Sequence, residues 1–140
     1  MKFYIASKSQ EAAREWRDII VDLGPEHEVG ARWLDEEGFG SGPPYDDAER
    51  TKYAQQDEDD VYKCDALILR AEPDLARVAG GKHVETGMAL ILGKPVYVIG
   101  ERENIFHWHP AVTMFPTFEA FIEYLRNCCA GIQDLGIPPQ

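Results

Sequence analysis

Gly80-Gly81-Lys82-His83-Val84-Glu85-Thr86-Gly87-Met88-Ala89-Leu90-Ile91-Leu92-Gly93-Lys94-Pro95-Val96-Tyr97-Val98-Ile99-Gly100 reads as a glycine turn, a helix, a short reversal and a core strand. Residues 84–92 are nearly apolar on every side, so the helix is expected to be covered by protein rather than water. Glu85 nevertheless lies in its first turn, on one stripe with Met88, Ala89 and Leu92. A carboxylate there needs partners or a chemical task, because burying an unpaired charge is unfavourable. The free N–H groups and dipole of a helix N-terminus favour its ionised form. A positioned, partly desolvated and ionised glutamate has the character of a nucleophile. A helix-capping or hydrogen-bonded glutamate fits this stretch equally well.

Working outward, Ala66-Leu67-Ile68-Leu69 is a continuous apolar strand, followed by a loop over residues 70–79. Residues 46–64 are expected to be helical. Lys2-Phe3-Tyr4-Ile5-Ala6 is a first strand, rich in aromatic and branched residues. Ser7 and Gln10 have capping-box spacing for a helix running to about residue 23, with Ala12, Trp16, Ile19, Ile20 and Leu23 on one face. Val29, Ala31 and Trp33 alternate with Glu28, Gly30 and Arg32, which predicts a second strand. Residues 35–44 form a loop by composition, long enough to serve as a lid or simply to be a surface loop. Beyond the central strand come a loop through His107-Trp108-His109, a short strand near residues 112–115 and a last helix over 117–129. Strands and helices alternate five times. That predicts an α/β fold with a five-stranded parallel sheet in a three-layer sandwich, flavodoxin-like or Rossmann-like. One domain over residues 1–131 and a tail over 132–140 are expected.

The 140 residues suffice for one domain with one core. A net charge of −11 argues against binding a nucleic-acid polymer, which needs clustered Lys and Arg. A single nucleoside or nucleotide needs only a few local donors and stays open. No apolar run reaches membrane-spanning length and no signal peptide is evident, so no membrane partner is expected. Three cysteines without disulfide or zinc spacing point to a reducing cytoplasm. His107 and His109 lack an evident carboxylate partner, so no metal and no cofactor is expected. The exposed aromatic cluster around them reads as a subunit contact or a contribution to a neighbour's pocket.

A second carboxylate stands out within Asp57-Glu58-Asp59-Asp60. At about 100° per residue, Tyr53, Ala54, Val61 and Cys64 fall on the face that carries Asp57, while Glu58 and Asp59 point away and Asp60 is marginal. An acid where the pattern asks for leucine is either functional or a structural ion-pair partner. Asp65, just before the third strand, reads as structural. Two carboxylates on two helices, one to attack and one to carry a proton, form the equipment of retaining glycosidic cleavage. Desolvation would keep one protonated while the helix dipole keeps the other ionised.

Three blocks together resemble the nucleoside 2-deoxyribosyltransferase superfamily, which includes deoxynucleoside-monophosphate N-hydrolases. They are Phe3-Tyr4-Ile5-Ala6-Ser7, the run from Asp57 through Val61 and Cys64 to Leu69, and the run from Gly80 through His83, Glu85 and Gly87 to Pro95. The resemblance extends from residue 2 to about residue 125. It implies a flavodoxin-like fold and cleavage of the bond between deoxyribose C1′ and a base. It also implies that Glu85 is the nucleophile of a deoxyribosyl ester, Asp57 the acid for the leaving base, and Tyr4 the hydroxyl touching the nucleophile. Ser7, Gly80 and Gly81 are candidate sugar- or phosphate-binding groups, though helix capping also suits Ser7. His83 either touches substrate or closes the turn. Trp33 is either a wall for the base or core packing. One departure concerns the position six residues before the nucleophile, where transferases of the family carry an acid and hydrolases a serine. Here it is Ala79. The expected partner is a small nucleoside or nucleotide, and the family habit implies a homo-oligomer, a dimer or higher.

Overall fold

In β1 (Lys2–Ala6), side chains alternate between the two faces of the sheet. Phe3 packs edge-on against Phe121, whereas the Tyr4 hydroxyl reaches Glu85 on the other face. The computed structural model describes residues 1–37, 45–71 and 80–129. The body of the 35–44 loop, most of the 70–79 loop with position 79, and the expected 132–140 tail lie outside the described residues.

Four further strands join β1: β2 (Glu28–Val29), β3 (Ala66–Arg70), β4 (Val96–Ile99) and β5 (Val112–Phe115). All pairings are parallel, in the order β2-β1-β3-β4-β5. This is the flavodoxin-like order, which reverses direction between β1 and β3, so ligands are expected beyond the carboxyl ends of those two strands. β1, β3 and β4 are almost wholly buried, in keeping with the continuous apolar runs of a sheet covered on both faces. Helices α1 (Gln10–Asp22) and α4 (Phe118–Cys129) lie on the Phe3 side, joined by Trp16 stacked on Phe118 at 4.3 Å. Helices α2 (Asp47–Lys63) and α3 (Gly81–Ile91) pack together against β1 on the Tyr4 side.

Two fixtures set the height of α2. Asp46 and Glu49 form a capping box at its start. At its end the Lys94 ammonium donates to the carbonyls of Val61, Tyr62 and Cys64, where the helix dipole favours a cation. Asp65 ties β3 to β1, its Oδ2 accepting from Lys2 N at 2.7 Å, which is the structural role its place before the strand implied. α3 opens at Gly80 with φ +84° and closes across Gly93 with φ +74°, the left-handed region open to glycine.

Several expectations change. Ser9, not Ser7, caps α1, its side chain accepting from Ala12 N; Ser7 instead bonds the Ser9 backbone. Ile19 is exposed, and Ala13 takes a buried position beside Ile20. The second strand ends at Val29, and Arg32–Asp35 forms a 3-10 turn. Alternation alone cannot see what tightens that turn: Arg32 N and Nε both bond Asp60, and Gln10 Nε2 donates to the carbonyls of Trp33 and Glu36. Nor is α3 covered on all sides. Lys82, Thr86 and Ala89 face inward, leaving Val84 59% and Ile91 87% exposed, because the sheet covers only one side of the helix.

Candidate active site

Tyr4, Asp57 and Glu85 are delivered by three elements, β1, α2 and α3. The Tyr4 hydroxyl donates to Glu85 Oε2. Asp57 lies near enough for its charge to act on both Tyr4 and Glu85. Its Oδ1 is buried and accepts no hydrogen bond among the described residues. A carboxyl oxygen shielded from water and left without a donor is unfavourable unless it carries a proton or meets a ligand.

The electrostatics follow from that placement. Burial pushes Glu85 up to about 8; the Tyr4 hydrogen bond opposes this and the Asp57 charge adds to it. Burial likewise pushes Asp57 up to about 7, helped by the charges of Glu36 and Asp60 and opposed by Arg32. Burial and the two carboxylates also push the Tyr4 phenol up, so its hydroxyl stays a donor. The dipole argument expected Glu85 to be ionised in the free protein. Desolvation outweighs it, because the α3 terminus is set against the sheet and Tyr4 rather than in water. Near neutral pH the two carboxyls therefore hold one to two protons between them and titrate as a coupled pair.

Of the stripe expected to accompany Asp57, Val61 and Cys64 are buried while Ala54 is exposed. Asp60, marginal by helical phase, is buried in an ion pair with Arg32, Oδ1 to Nη2 at 2.7 Å. Asp59 is shared between Arg32 and Lys63 on the outside. Arg32 thus anchors the far side of the acidic run and leaves Asp57 to the interior.

The remaining candidates divide. Gly80 and Gly81 begin α3 with no side chain capping it, and among the described residues a Cβ at either would meet nothing within 4 Å. His83 is held on both ring nitrogens, Nε2 to Glu103 Oε2 at 3.2 Å and Nδ1 to Asn104 Nδ2 at 3.3 Å. Glu103 also takes the buried Lys82 ammonium at 2.9 Å, so the glycine turn is locked to the segment after β4. Trp33 is core, 4% exposed, with its indole Nε1 donating to the Ile5 carbonyl at 2.9 Å. Ser7 bonds the backbone turn before α1. Within the His107-Trp108-His109 run, His107 is buried and accepts from Glu103 N, while Trp108 is exposed beneath the Arg102 guanidinium. No three His, Cys, Asp or Glu side chains among the described residues gather as a metal site.

Glu36 escaped the sequence reading. It follows the Arg32–Asp35 turn, carries no periodic signal, and only the fold sets it against α2. Its Oε1 accepts from Gln56 Nε2 at 3.3 Å, and its backbone carbonyl accepts from Gln10 Nε2 at 2.9 Å.

No protein-family model matches the chain, and no curated protein matches it by sequence. Solved structures do. A 2-deoxyribosyltransferase from the psychrotolerant bacterium Bacillus psychrosaccharolyticus aligns over 100% of this chain and 99% of its own, with TM-score 0.69 and 18% identity. The CMP N-glycosidase BcmB of Clostridium botulinum aligns over 89% of this chain and 98% of its own, with TM-score 0.58 and 13% identity. The fold is shared. It is the α/β, flavodoxin-like arrangement that the sequence blocks implied, and the likeness extends along nearly the whole length of both proteins. No described helix is long and apolar enough to cross a membrane.

Proposed function

We propose that this chain is an enzyme that cleaves or transfers the N-glycosidic bond of a 2′-deoxynucleoside, with Glu85 as nucleophile and Asp57 as acid and base. The observation that carries it is the Tyr4 hydroxyl bonded to Glu85, with the charge of Asp57 within electrostatic reach of both. The fold shared with a deoxyribosyltransferase and an N-glycosidase supports the reaction class.

In this reading the reactive form of the pair holds one proton, on Asp57. Ionised Glu85 attacks C1′ as the bond to the base breaks, and Asp57 gives its proton to the departing base nitrogen or oxygen. The cationic character that develops at C1′ favours the ionised Glu85, and Tyr4 steadies that charge by its hydrogen bond. An acceptor base or water then gives its proton to Asp57 and attacks C1′, breaking the ester and restoring the Glu85 carboxylate. The amides at Gly80 and Gly81, at the start of α3, would hold a sugar hydroxyl or a phosphate. His83 acts by keeping that turn in place through Glu103. Trp33 supports the site from behind, and Ser7, at the carboxyl end of β1, remains a group for the sugar or phosphate.

A 5′-monophosphate N-hydrolase is the second reading, favoured by the CMP N-glycosidase of the same fold. Incubating the protein with a deoxynucleoside and a different free base separates the two. Base exchange supports the transferase; release of deoxyribose, or of its phosphate from a nucleotide, supports the hydrolase. Binding without turnover of any nucleoside or nucleotide would leave a non-catalytic module and defeat both. We also propose a homo-oligomer, since Val84 and Ile91 on α3 and Ile105, Phe106 and Trp108 after β4 are exposed. Sedimentation velocity showing a monomer at micromolar concentration would remove that expectation.

A further inference from the structure

The proposed reaction needs the single proton of the pair on Asp57 rather than on Glu85, yet Glu85, at about 8, holds a proton at least as tightly as Asp57, at about 7. Their surroundings are not alike. On the Glu85 side stands a donor, the Tyr4 hydroxyl. On the Asp57 side stands a third carboxyl, Glu36, held against α2 by Gln56, the residue adjoining Asp57. Its backbone is fixed by Gln10 Nε2, which also grips Trp33, so the carboxyl hangs from a pinned turn. Burial pushes the Glu36 carboxyl up, opposed by the nearby Tyr45 hydroxyl and the Lys52 charge. The Tyr45 ring rests on Tyr53 of α2 at 4.8 Å.

Resting on the proposed function, we infer that Glu36 is a positioning residue that raises the hold of Asp57 on the shared proton and so favours the form with Asp57 protonated and Glu85 ionised. A negative charge beside Asp57 opposes a second one there, while a hydroxyl beside Glu85 welcomes it. The other charges facing Asp57 do not supply the same bias. Asp60 is matched by Arg32 through a direct ion pair, and Arg32 itself pulls Asp57 the opposite way. Glu36 has no ion pair with a cation among the described residues, its nearest cationic influence being that of Lys52.

The test is the pH dependence of Glu36→Gln, which keeps the size and the contact with Gln56. Loss of the charge makes Asp57 a stronger acid and leaves the ionisation of Glu85 in the doubly protonated form untouched. The alkaline limb of kcat/KM should then fall by about threefold to tenfold, corresponding to about half to one pKa unit, while the acid limb stays put. Glu36→Asp, which retains the charge, should restore the alkaline limb. Equal loss on both limbs, or none on the alkaline one, overturns the inference. Carboxyl carbon NMR of the free protein reads the Asp57 titration without any substrate. A downward shift in Glu36→Gln upholds the role of Glu36 even if no nucleoside turns over, in which case the enzymatic reading alone fails. An unchanged Asp57 titration sinks the inference and leaves that reading standing.

Discussion

Glu85 meets two opposed demands: a nucleophile must shed its proton, and a buried carboxyl resists doing so. Its folded value of about 8, like the value of about 7 for Asp57, lies above the ordinary values of 4.5 and 3.8. Both groups bind protons more tightly folded than unfolded, so their contribution to stability falls as pH rises from about 4 to about 8. Glu85→Gln, which cannot ionise, should gain roughly 1–3 kcal/mol near pH 8 and little near pH 4, read by denaturant titration at both pH values. The same variant should lose at least about a thousandfold in turnover. An equal loss of stability at both pH values would show the carboxyl to be a structural partner instead. Tyr4→Phe removes the donor from Glu85 and should move the acid limb of kcat/KM upward by about one pH unit, the opposite limb from Glu36→Gln.

At the scale of elements, the site depends on how α2 and α3 are held against β1. Lys94 follows α3 yet caps the end of α2, so one ammonium sets the relative height of the two helices that carry Asp57 and Glu85. Lys94→Met should destabilise the protein by about 1–3 kcal/mol, since it strips a charged donor from three carbonyls at a helix terminus. It should also lower kcat more than it raises KM, because it shifts the carboxyls rather than the binding surface. Preserved kcat in a destabilised Lys94→Met would separate the cap from the alignment of the site. The start of α1 offers a simpler check. Ser9→Ala should cost about 1 kcal/mol in chemical denaturation as the capping residue, and Ser7→Ala should cost less.

For the whole molecule, the parallel sheet with its reversal between β1 and β3 follows from patterns within reach of a sequence: apolar runs, glycine turns and helical phase. Those same patterns selected Asp57 as an acid on an apolar stripe and Glu85 as an acid in an apolar helix, because both break a local period. They misled where a period is short. Three alternating residues up to Trp33 read as a strand, while Asp60 and Gln10, distant in the chain, draw that segment into a 3-10 turn. Ser7 and Ser9 are both sound caps by composition, and only the path of the backbone after β1 chose between them. Glu36 breaks no pattern, and its effect on Asp57 exists only because the fold brings its turn against α2. The amino-acid order by itself therefore determined the layers, the strand succession and which two acids are out of place. Tertiary structure alone decided that Glu85 bonds Tyr4 with the Asp57 charge in reach, how strongly each holds its proton and what stands beside them. The reason is physical: periodicity is a property of neighbours along the chain, whereas desolvation and charge coupling depend on distance through space.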